Sequence, residues 1–149
     1  MSKLLLLIYH IIYKLHYLKI PIIPEIINKI VIRIIFGCQI GIGAKLGKNV
    51  ILGYGGLGIV IHKRAIIGDN VNIGPGVTIG GTSGKFEVPI IGNNTIISSG
   101  AKVIGPIKIG SNCIIGANAV VLTDIEDNCI VVGVPAKIIK RDINIKDYL

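Results

Sequence analysis

The chain has 149 residues, of which 51% are hydrophobic and only 16% charged, and its formal net charge is +8. Globular domains usually carry about 25% charged residues, so this chain has ample apolar side chains to bury one core. The positive charge favours an anionic partner, but no arginine cluster and no aromatic residues interleaved with basic ones are present, which argues against nucleic acid.

Two apolar segments precede any repeat, at residues 3–20 and 24–36, and Pro21 and Pro24 separate them. Polar side chains recur at helical spacing in each, which predicts two amphipathic helices, the second opened by Pro24. Neither segment has the roughly 20 apolar residues that span a bilayer. No small-residue cleavage site follows, so we do not expect a signal peptide.

Two interpretations of these helices stay open. They cap the open edge of the structure that follows and pack on an oligomer, or they lie at the membrane interface with their basic side toward lipid headgroups. Against the single acidic residue Glu25, the segment carries Lys3, Lys14, Lys19, Lys29 and Arg33. We expect a cytoplasmic protein, with peripheral contact at the inner membrane face through residues 3–36 as the second interpretation.

A six-residue repeat of branched aliphatic residues follows. The repeated positions are Ile40, Leu46, Leu52, Ile61, Ile67, Ile73, Ile79, Ile91, Ile97, Val103, Ile109, Ile115 and Val121. The next residue is usually Gly, and the fourth residue after is usually small or β-branched. A period of six fits neither a helix nor a simple strand, and it predicts a strand and a corner per repeat. Three repeats make a triangular coil, and stacked coils form an all-β solenoid with an apolar column inside.

Two insertions interrupt the repeat, and loops that leave a solenoid are where function is expected. The first adds three residues between Leu52 and Ile61, and the second adds six between Ile79 and Ile91. Without the insertions, the breaks lie four strands apart, which is one coil plus one face. They therefore leave different corners of the triangle, and a three-fold trimer would let these corners meet between neighbouring chains.

The chain resembles the serine acetyltransferase branch of the hexapeptide-repeat acyltransferases in GYGGLGIVIHKRAIIGDNVNIGPGVTIGGTSGK (53–85), VPIIGNN (88–94), GAKVIGPIKIGSNCIIGANAVV (100–121) and VVGVPAKII (131–139). The likeness is greatest to members of polysaccharide biosynthesis. It implies a left-handed parallel β-helix, acetyl-CoA as co-substrate, and a homotrimer with active sites between subunits. We expect helices over 1–36, the β-helix acyltransferase domain over 37–139, and a charged tail over 140–149.

Acetyl transfer to an alcohol needs a base near the hydroxyl, and histidine titrates in the right range. Of His10, His16 and His62, only His62 lies within the repeat. It directly follows the first insertion, at a position where the repeat usually has Gly. Two interpretations stay open for His62: a general base, or an exposed corner residue.

The chain departs from serine acetyltransferases at the residues that carry their chemistry. Those enzymes have an Asp–His pair where this chain has Tyr54 and Gly55. They also have a second His on the later loop, and the corresponding loop here, from Gly80 to Pro89, contains no histidine. The departure leaves His62, with Tyr54, as the candidate base site. Glu87 on the loop is a weaker candidate than either.

The resemblance implies that coenzyme A lies in a groove between coils, beside small residues and with lysines near its phosphates. The matching positions are Gly81, Thr82, Lys85, Gly100, Ala101, Lys102, Ala119, Pro135 and Lys137. Each lysine is equally well explained as a solvated surface charge. We expect no metal, since a zinc site of the kind found on this fold needs three histidines from the repeat and only His62 is there.

These observations predict an acetyl-CoA-dependent O-acetyltransferase that acts on a hydroxyl of a sugar or glycan precursor. Serine as acceptor in a rearranged site is the first alternative. A catalytically inactive scaffold that binds a partner is the second, because the usual histidine pair is missing. Cys38, Cys113 and Cys129 match no redox or zinc spacing and predict buried free thiols in a reducing compartment.

Overall fold

The computed structural model describes residues 1–148. Helix α1 (Ser2–Tyr17) and the short helix α2 (Ile23–Ile27) come first, and a π-helix (Asn28–Ile35) continues α2. The strands are β1 (Gln39–Ile40), β2 (Lys45–Leu46), β3 (Ile51–Leu52), β4 (Val60–Ile61), β5 (Ile66–Ile67), β6 (Asn72–Ile73), β7 (Thr78–Gly80), β8 (Ile90–Ile91), β9 (Ile96–Ile97), β10 (Lys102–Ile104), β11 (Lys108–Ile109), β12 (Ile114–Ile115), β13 (Val120–Val121), β14 (Ile130–Gly133) and β15 (Ala136–Lys140). Two 3-10 turns lie at Gly53–Gly56 and Ile145–Tyr148.

The strands form three sheets that make the faces of a triangular prism. Face A contains β1, β4, β7, β10 and β13, face B contains β2, β5, β8 and β11, and face C contains β3, β6, β9, β12, β14 and β15. Neighbours pair in parallel, apart from the closing hairpin of β14 and β15. The chain visits faces A, B and C in turn, so it passes an A–B, a B–C and a C–A corner in each coil. The predicted solenoid is confirmed.

The repeated aliphatic positions form the core. Each lies in its strand, and all are buried except the half-buried Leu46. The small position two residues earlier also points inward, and the three cysteines occupy it at Cys38, Cys113 and Cys129. They are free, and burial raises the pKa of Cys38 and Cys113 to about 11. The expectation of buried free thiols is confirmed.

A ladder of asparagines, which the repeat analysis missed, holds the B–C corner. Asn49, Asn70, Asn94, Asn112 and Asn128 all have positive φ, between 54° and 58°. Each of the first four donates a side-chain amide hydrogen bond to the next, at 2.9–3.2 Å. Asparagine tolerates this left-handed conformation better than other side chains do. The ladder therefore supplies both the turn and a bond between coils.

The N-terminal helices cover the open edge of the first coil. Tyr9 of α1 donates its hydroxyl to the carbonyls of Ala44, at 2.8 Å, and Gly41, at 3.1 Å. Asn28 donates to the Ile40 carbonyl at 3.1 Å, and the Leu52 amide donates to the Ser2 hydroxyl at 3.0 Å. These bonds occupy edge groups that the next coil cannot reach. Capping of the first coil, one of the two interpretations, is present in the structure.

The termini differ from the predicted helices in detail. The second helix is α-helical only to Ile27 and then widens to a π-helix, which places Asn28 in the interface with the first coil. At the other end β15 runs to Lys140, and Ile143 and Ile145 are buried. Within residues 1–148 no helix combines the length and apolarity that crossing a membrane requires. The division at residues 36 and 139 stays a prediction.

Candidate active site

The two insertions leave different corners, as predicted. The first lies between β3 and β4 at the C–A corner, and the second lies between β7 and β8 at the A–B corner. His62 follows β4 and therefore lies at the A–B corner, where its amide donates to the Ile79 carbonyl at 2.9 Å. His62 thus stacks against Gly80, one coil below the start of the second insertion.

The His62 ring is engaged by its own turn. The Arg64 amide donates to Nδ1 of the ring at 3.1 Å. When Nδ1 accepts a hydrogen bond, the neutral ring carries its proton on Nε2. Partial burial, together with the positive charges of Arg64 and Lys63, lowers the pKa of His62. The ring is therefore uncharged at neutral pH, but Nε2 becomes a proton acceptor only if the ring leaves the Arg64 amide.

The second insertion folds back on the residues beside His62. The guanidinium carbon of Arg64 lies 4.3 Å from the centre of the Phe86 ring, a cation–π contact between coil and loop. The Lys85 amide donates to the Thr82 carbonyl at 3.2 Å, and the chain re-enters the prism at the buried Val88. The contact between Arg64 and Phe86 was not predicted from the sequence. The repeat gives no sign that a corner residue will contact a loop residue 22 positions later.

Tyr54 lies at another corner. It belongs to the 3-10 turn of the first insertion at the C–A corner, with φ 49° and ψ 36°, and its side chain is 84% exposed. Strand β4 on face A separates this turn from His62. The structure of one chain therefore does not bring Tyr54 and His62 together.

The predicted coenzyme A positions also divide between corners. Gly81, Thr82 and Lys85 begin the loop at the A–B corner, whereas Gly100, Ala101 and Ala119 lie at the C–A corner. Lys102 lies on face A in β10, and Pro135 and Lys137 lie on the closing hairpin. Thr82, Lys85, Pro135 and Lys137 are exposed, while Ala101 and Ala119 are fully buried.

The C–A corner has a column without side chains. Gly58, Gly76 and Gly100 stack there with φ between 68° and 74°, and Asn118 takes the next place with φ 56°. A Cβ on Gly58 would lie 3.3 Å from the Gly76 Cα, so the backbones are in close contact. Lys102 donates its ammonium to the Gly76 carbonyl at 2.6 Å. The result is a strip of bare backbone at the exposed Gly58 and the half-buried Gly76, with one cation beside it, and the Asn118 side chain lies against Gly100 at its end. Such a strip suits a thin polar ligand.

No group of three or more histidine, cysteine or acidic side chains within residues 1–148 is arranged to hold a metal ion. The weaker candidate, Glu87, is an exposed carboxylate on the loop of the second insertion.

Comparisons with known proteins agree with this fold. Residues 89–123 match the family "Bacterial transferase hexapeptide (six repeats)". The chain is 43% identical over 126 residues to a serine acetyltransferase of Synechococcus elongatus, which covers 83% of this chain and 50% of the relative. It is 41% identical over 140 residues to a serine acetyltransferase of Helicobacter pylori, which covers 92% of this chain and 80% of the relative.

Solved structures give the same result. A serine acetyltransferase of Neisseria gonorrhoeae superposes with a TM-score of 0.87 at 32% identity, over 94% of this chain and 55% of that chain. A serine acetyltransferase in complex with CoA superposes with a TM-score of 0.82 at 30% identity, over 91% of this chain and 55% of that chain.

The fold and the repeat define a left-handed β-helix of the hexapeptide transferase type. Within that class, the chain belongs to the serine acetyltransferase family. It spans about half the length of the Synechococcus elongatus relative and 80% of the Helicobacter pylori one. The predicted family branch is confirmed. The predicted place in polysaccharide biosynthesis finds no support, since these relatives are named for serine.

Proposed function

We propose that the protein transfers the acetyl group of acetyl-CoA to the side-chain hydroxyl of L-serine. The serine oxygen attacks the thioester carbonyl, the carbon–sulfur bond breaks, and O-acetylserine and the free thiol of CoA are formed. The observation that carries the proposal is 41% identity to a serine acetyltransferase along 92% of this chain and 80% of the relative. This proposal replaces the sugar acceptor as the main hypothesis.

The active site is proposed to lie between subunits of a homotrimer. Support comes from the division of the candidate residues, because His62 and the loop lie at the A–B corner while the glycine column and Tyr54 lie at the C–A corner. With face A turned toward a three-fold axis parallel to the prism, the A–B corner of one chain would meet the C–A corner of the next. Two half-sites of one chain would then be completed by its neighbours.

Coenzyme A is proposed to lie along the C–A corner. The pantetheine arm would lie beside Gly58 and Gly76, where the column carries no side chain, and would end near Gly100 and Ala101, which the Asn118 side chain adjoins. The exposed ammonium groups of Lys85 and Lys137, and that of Lys102, are the cations assigned to its phosphates. Pro135 would border the nucleotide. The related structure solved in complex with CoA supports this co-substrate.

His62 is proposed as the general base. Its lowered pKa keeps the ring uncharged at neutral pH, which a base requires. To accept the serine proton on Nε2, the ring must release the Arg64 amide and place its own proton on Nδ1. Tyr54 of the adjoining chain would then approach the same cleft, since its side chain extends freely from the C–A corner.

A sugar hydroxyl is the second candidate acceptor. The observation that favours it is Tyr54 at the place where the family has its Asp–His pair, with no histidine between residues 80 and 89. The cytoplasm is the proposed compartment, because three free cysteines fit a reducing environment.

Release of free thiol from acetyl-CoA separates these hypotheses. The full chain is assayed with L-serine and with a panel of sugars at matched concentration, and the acetylated product is identified by mass. Thiol release that depends on L-serine supports serine as the acceptor. Thiol release that depends on a sugar supports the second candidate, a sugar hydroxyl. If calorimetry detects no acetyl-CoA binding, the inactive scaffold becomes the better account.

A further inference from the structure

The outer side of the N-terminal helices carries an unusual amount of exposed aliphatic surface. Ten large aliphatic residues of the segment are each about half exposed or more. Eight of them recur at helical spacing, and we call these the outer helical face: Leu4, Leu7, Ile11, Leu18, Ile23, Ile26, Ile30 and Ile34. Soluble proteins rarely leave contiguous apolar patches of this kind uncovered, and such patches usually mark an interaction surface.

Helical spacing explains why this face exists beside the capping face. In α1, Leu5, Tyr9 and Ile12 point at the first coil and are fully buried. Leu4, Leu7 and Ile11 lie on another stripe of the same helix, which no described residue covers. Capping thus accounts for one apolar stripe and leaves a second one unexplained.

Basic side chains border this face. Lys3 and Lys14 lie beside the α1 stripe, Lys29 and Arg33 lie beside the second, and Lys19 lies at the turn between them, all exposed. Glu25 is the one acidic residue in the first 36, so the helical segment carries a side-chain charge of +4 (five basic minus one acidic). None of these five cations forms an ion pair within residues 1–148.

We propose that the outer helical face docks on an anionic lipid surface, with the aliphatic residues in the interface and the cations on the headgroups. An amphipathic helix that lies in the membrane plane has this combination of apolar stripe and flanking basic residues. A second copy of the chain fits less well, because face-to-face pairing would bring two sets of four net positive charges together. Negative headgroups complement the charge that a second copy would repel.

A groove beside α1 extends the apolar surface. Its volume is about 950 Å³, and Leu6, Leu7, Val50 and Ile51 line its apolar part. Lys3, Lys48 and one carboxylate, that of Asp69, also line it. Leu7 and Lys3 also belong to or border the outer helical face, so the two surfaces are continuous. An acyl chain displaced from the leaflet would meet apolar lining along α1, with the cations Lys3 and Lys48 in the same groove.

Flotation with unilamellar vesicles tests the docking. The full chain is mixed with phosphatidylcholine vesicles that contain about a third phosphatidylglycerol, and with pure phosphatidylcholine vesicles. We expect flotation with the anionic vesicles only, and weaker binding as salt is raised. Replacing Lys14, Lys29 and Arg33 by Gln together should reduce the partition coefficient about a hundredfold, at roughly fivefold per cation.

An apolar variant and a matched control complete the test. Leu7→Ser, Ile11→Ser and Ile30→Ser together should abolish flotation with circular dichroism unchanged, because these side chains are exposed. Leu122→Ser with Ile139→Ser removes equally exposed aliphatic residues elsewhere and should leave flotation intact. Wild-type chain that stays unbound, or equal binding to neutral vesicles, overturns the proposal. The proposal is also overturned if the apolar variant, measured without vesicles, forms a smaller oligomer than the wild type. That result would show that the outer helical face contacts a second copy of the chain.

Discussion

His62 can act as a base or can simply close its turn, and substitution by Asn and by Ala separates the two roles. In the His62→Ala variant the Arg64 amide loses its acceptor, the ring Nδ1, which lies 3.1 Å away in the native turn. An Asn side chain places an oxygen near the position of Nδ1 and bonds the backbone two residues on, as Asx turns do. Asn therefore keeps the turn and removes Nε2.

The two roles predict different patterns of activity and stability. Loss of a general base lowers turnover about 10²- to 10⁴-fold, so we expect at least a hundredfold loss of kcat in both variants. Loss of the turn hydrogen bond destabilises by about 0.5–1.5 kcal/mol, so His62→Ala should unfold at a lower temperature and His62→Asn should not. Activity in the wild type should also fall when acid protonates the ring, below the usual histidine range because the pKa is lowered.

Thiol release with acetyl-CoA and L-serine gives kcat across pH, and thermal unfolding gives stability. If His62→Asn retains activity within about threefold of wild type while His62→Ala loses it, the ring only holds the turn and the base lies elsewhere. The same conclusion follows if the acid limb of the pH profile persists in His62→Asn.

Three further outcomes are expected. Gly76→Asn should raise the KM for acetyl-CoA about tenfold or more at nearly unchanged stability, because Asn118 already holds this corner conformation in the same column; an unchanged KM would remove the glycine column from the co-substrate site. Tyr9→Phe should lower the free energy of unfolding by about 1–2 kcal/mol, since two first-coil carbonyls lose their donor; unaltered denaturant unfolding would show that the cap contributes nothing there. Cys38 and Cys113 should resist a thiol reagent at pH 8 and react after denaturation, because burial raises their pKa to about 11; fast labelling of the native protein would contradict their burial.

The solenoid was predictable because its period is local. Each strand needs one inward aliphatic residue and one small one, so Ile67 and Ala65 follow the same rule as Ile115 and Cys113. The repeats before and after each insertion keep this pairing of one aliphatic and one small residue. Counting the strands between the two insertions was therefore enough to predict that they leave different corners. The rule fails in the last coil, where Val121 is followed after four residues by Ile125, which bridges to Ile109.

The site was less predictable because it depends on contacts between residues remote in sequence. The position of His62 followed from the repeat, but its bond to the Arg64 amide depends on the turn geometry. The stacking of Arg64 on Phe86 depends on how the loop folds back. The asparagine ladder did have a signal, one Asn per coil before the face C strand, and a search for polar repeats would have found it. The pairing of corners between chains stays a proposal, because the spacing of either corner alone does not encode it.

Mixed trimers test the shared cleft most directly. Chains with His62→Asn and chains with Gly76→Asn are given different tags, co-expressed, and purified through both tags. The assay uses acetyl-CoA well below the wild-type KM, where both parent variants are slow. If each site combines the A–B corner of one chain with the C–A corner of the next, every mixed trimer contains one site built from two unaltered halves, and about a third of wild-type serine acetylation should return. Activity that stays at the level of the two parent variants would place both halves in a single chain and contradict the account.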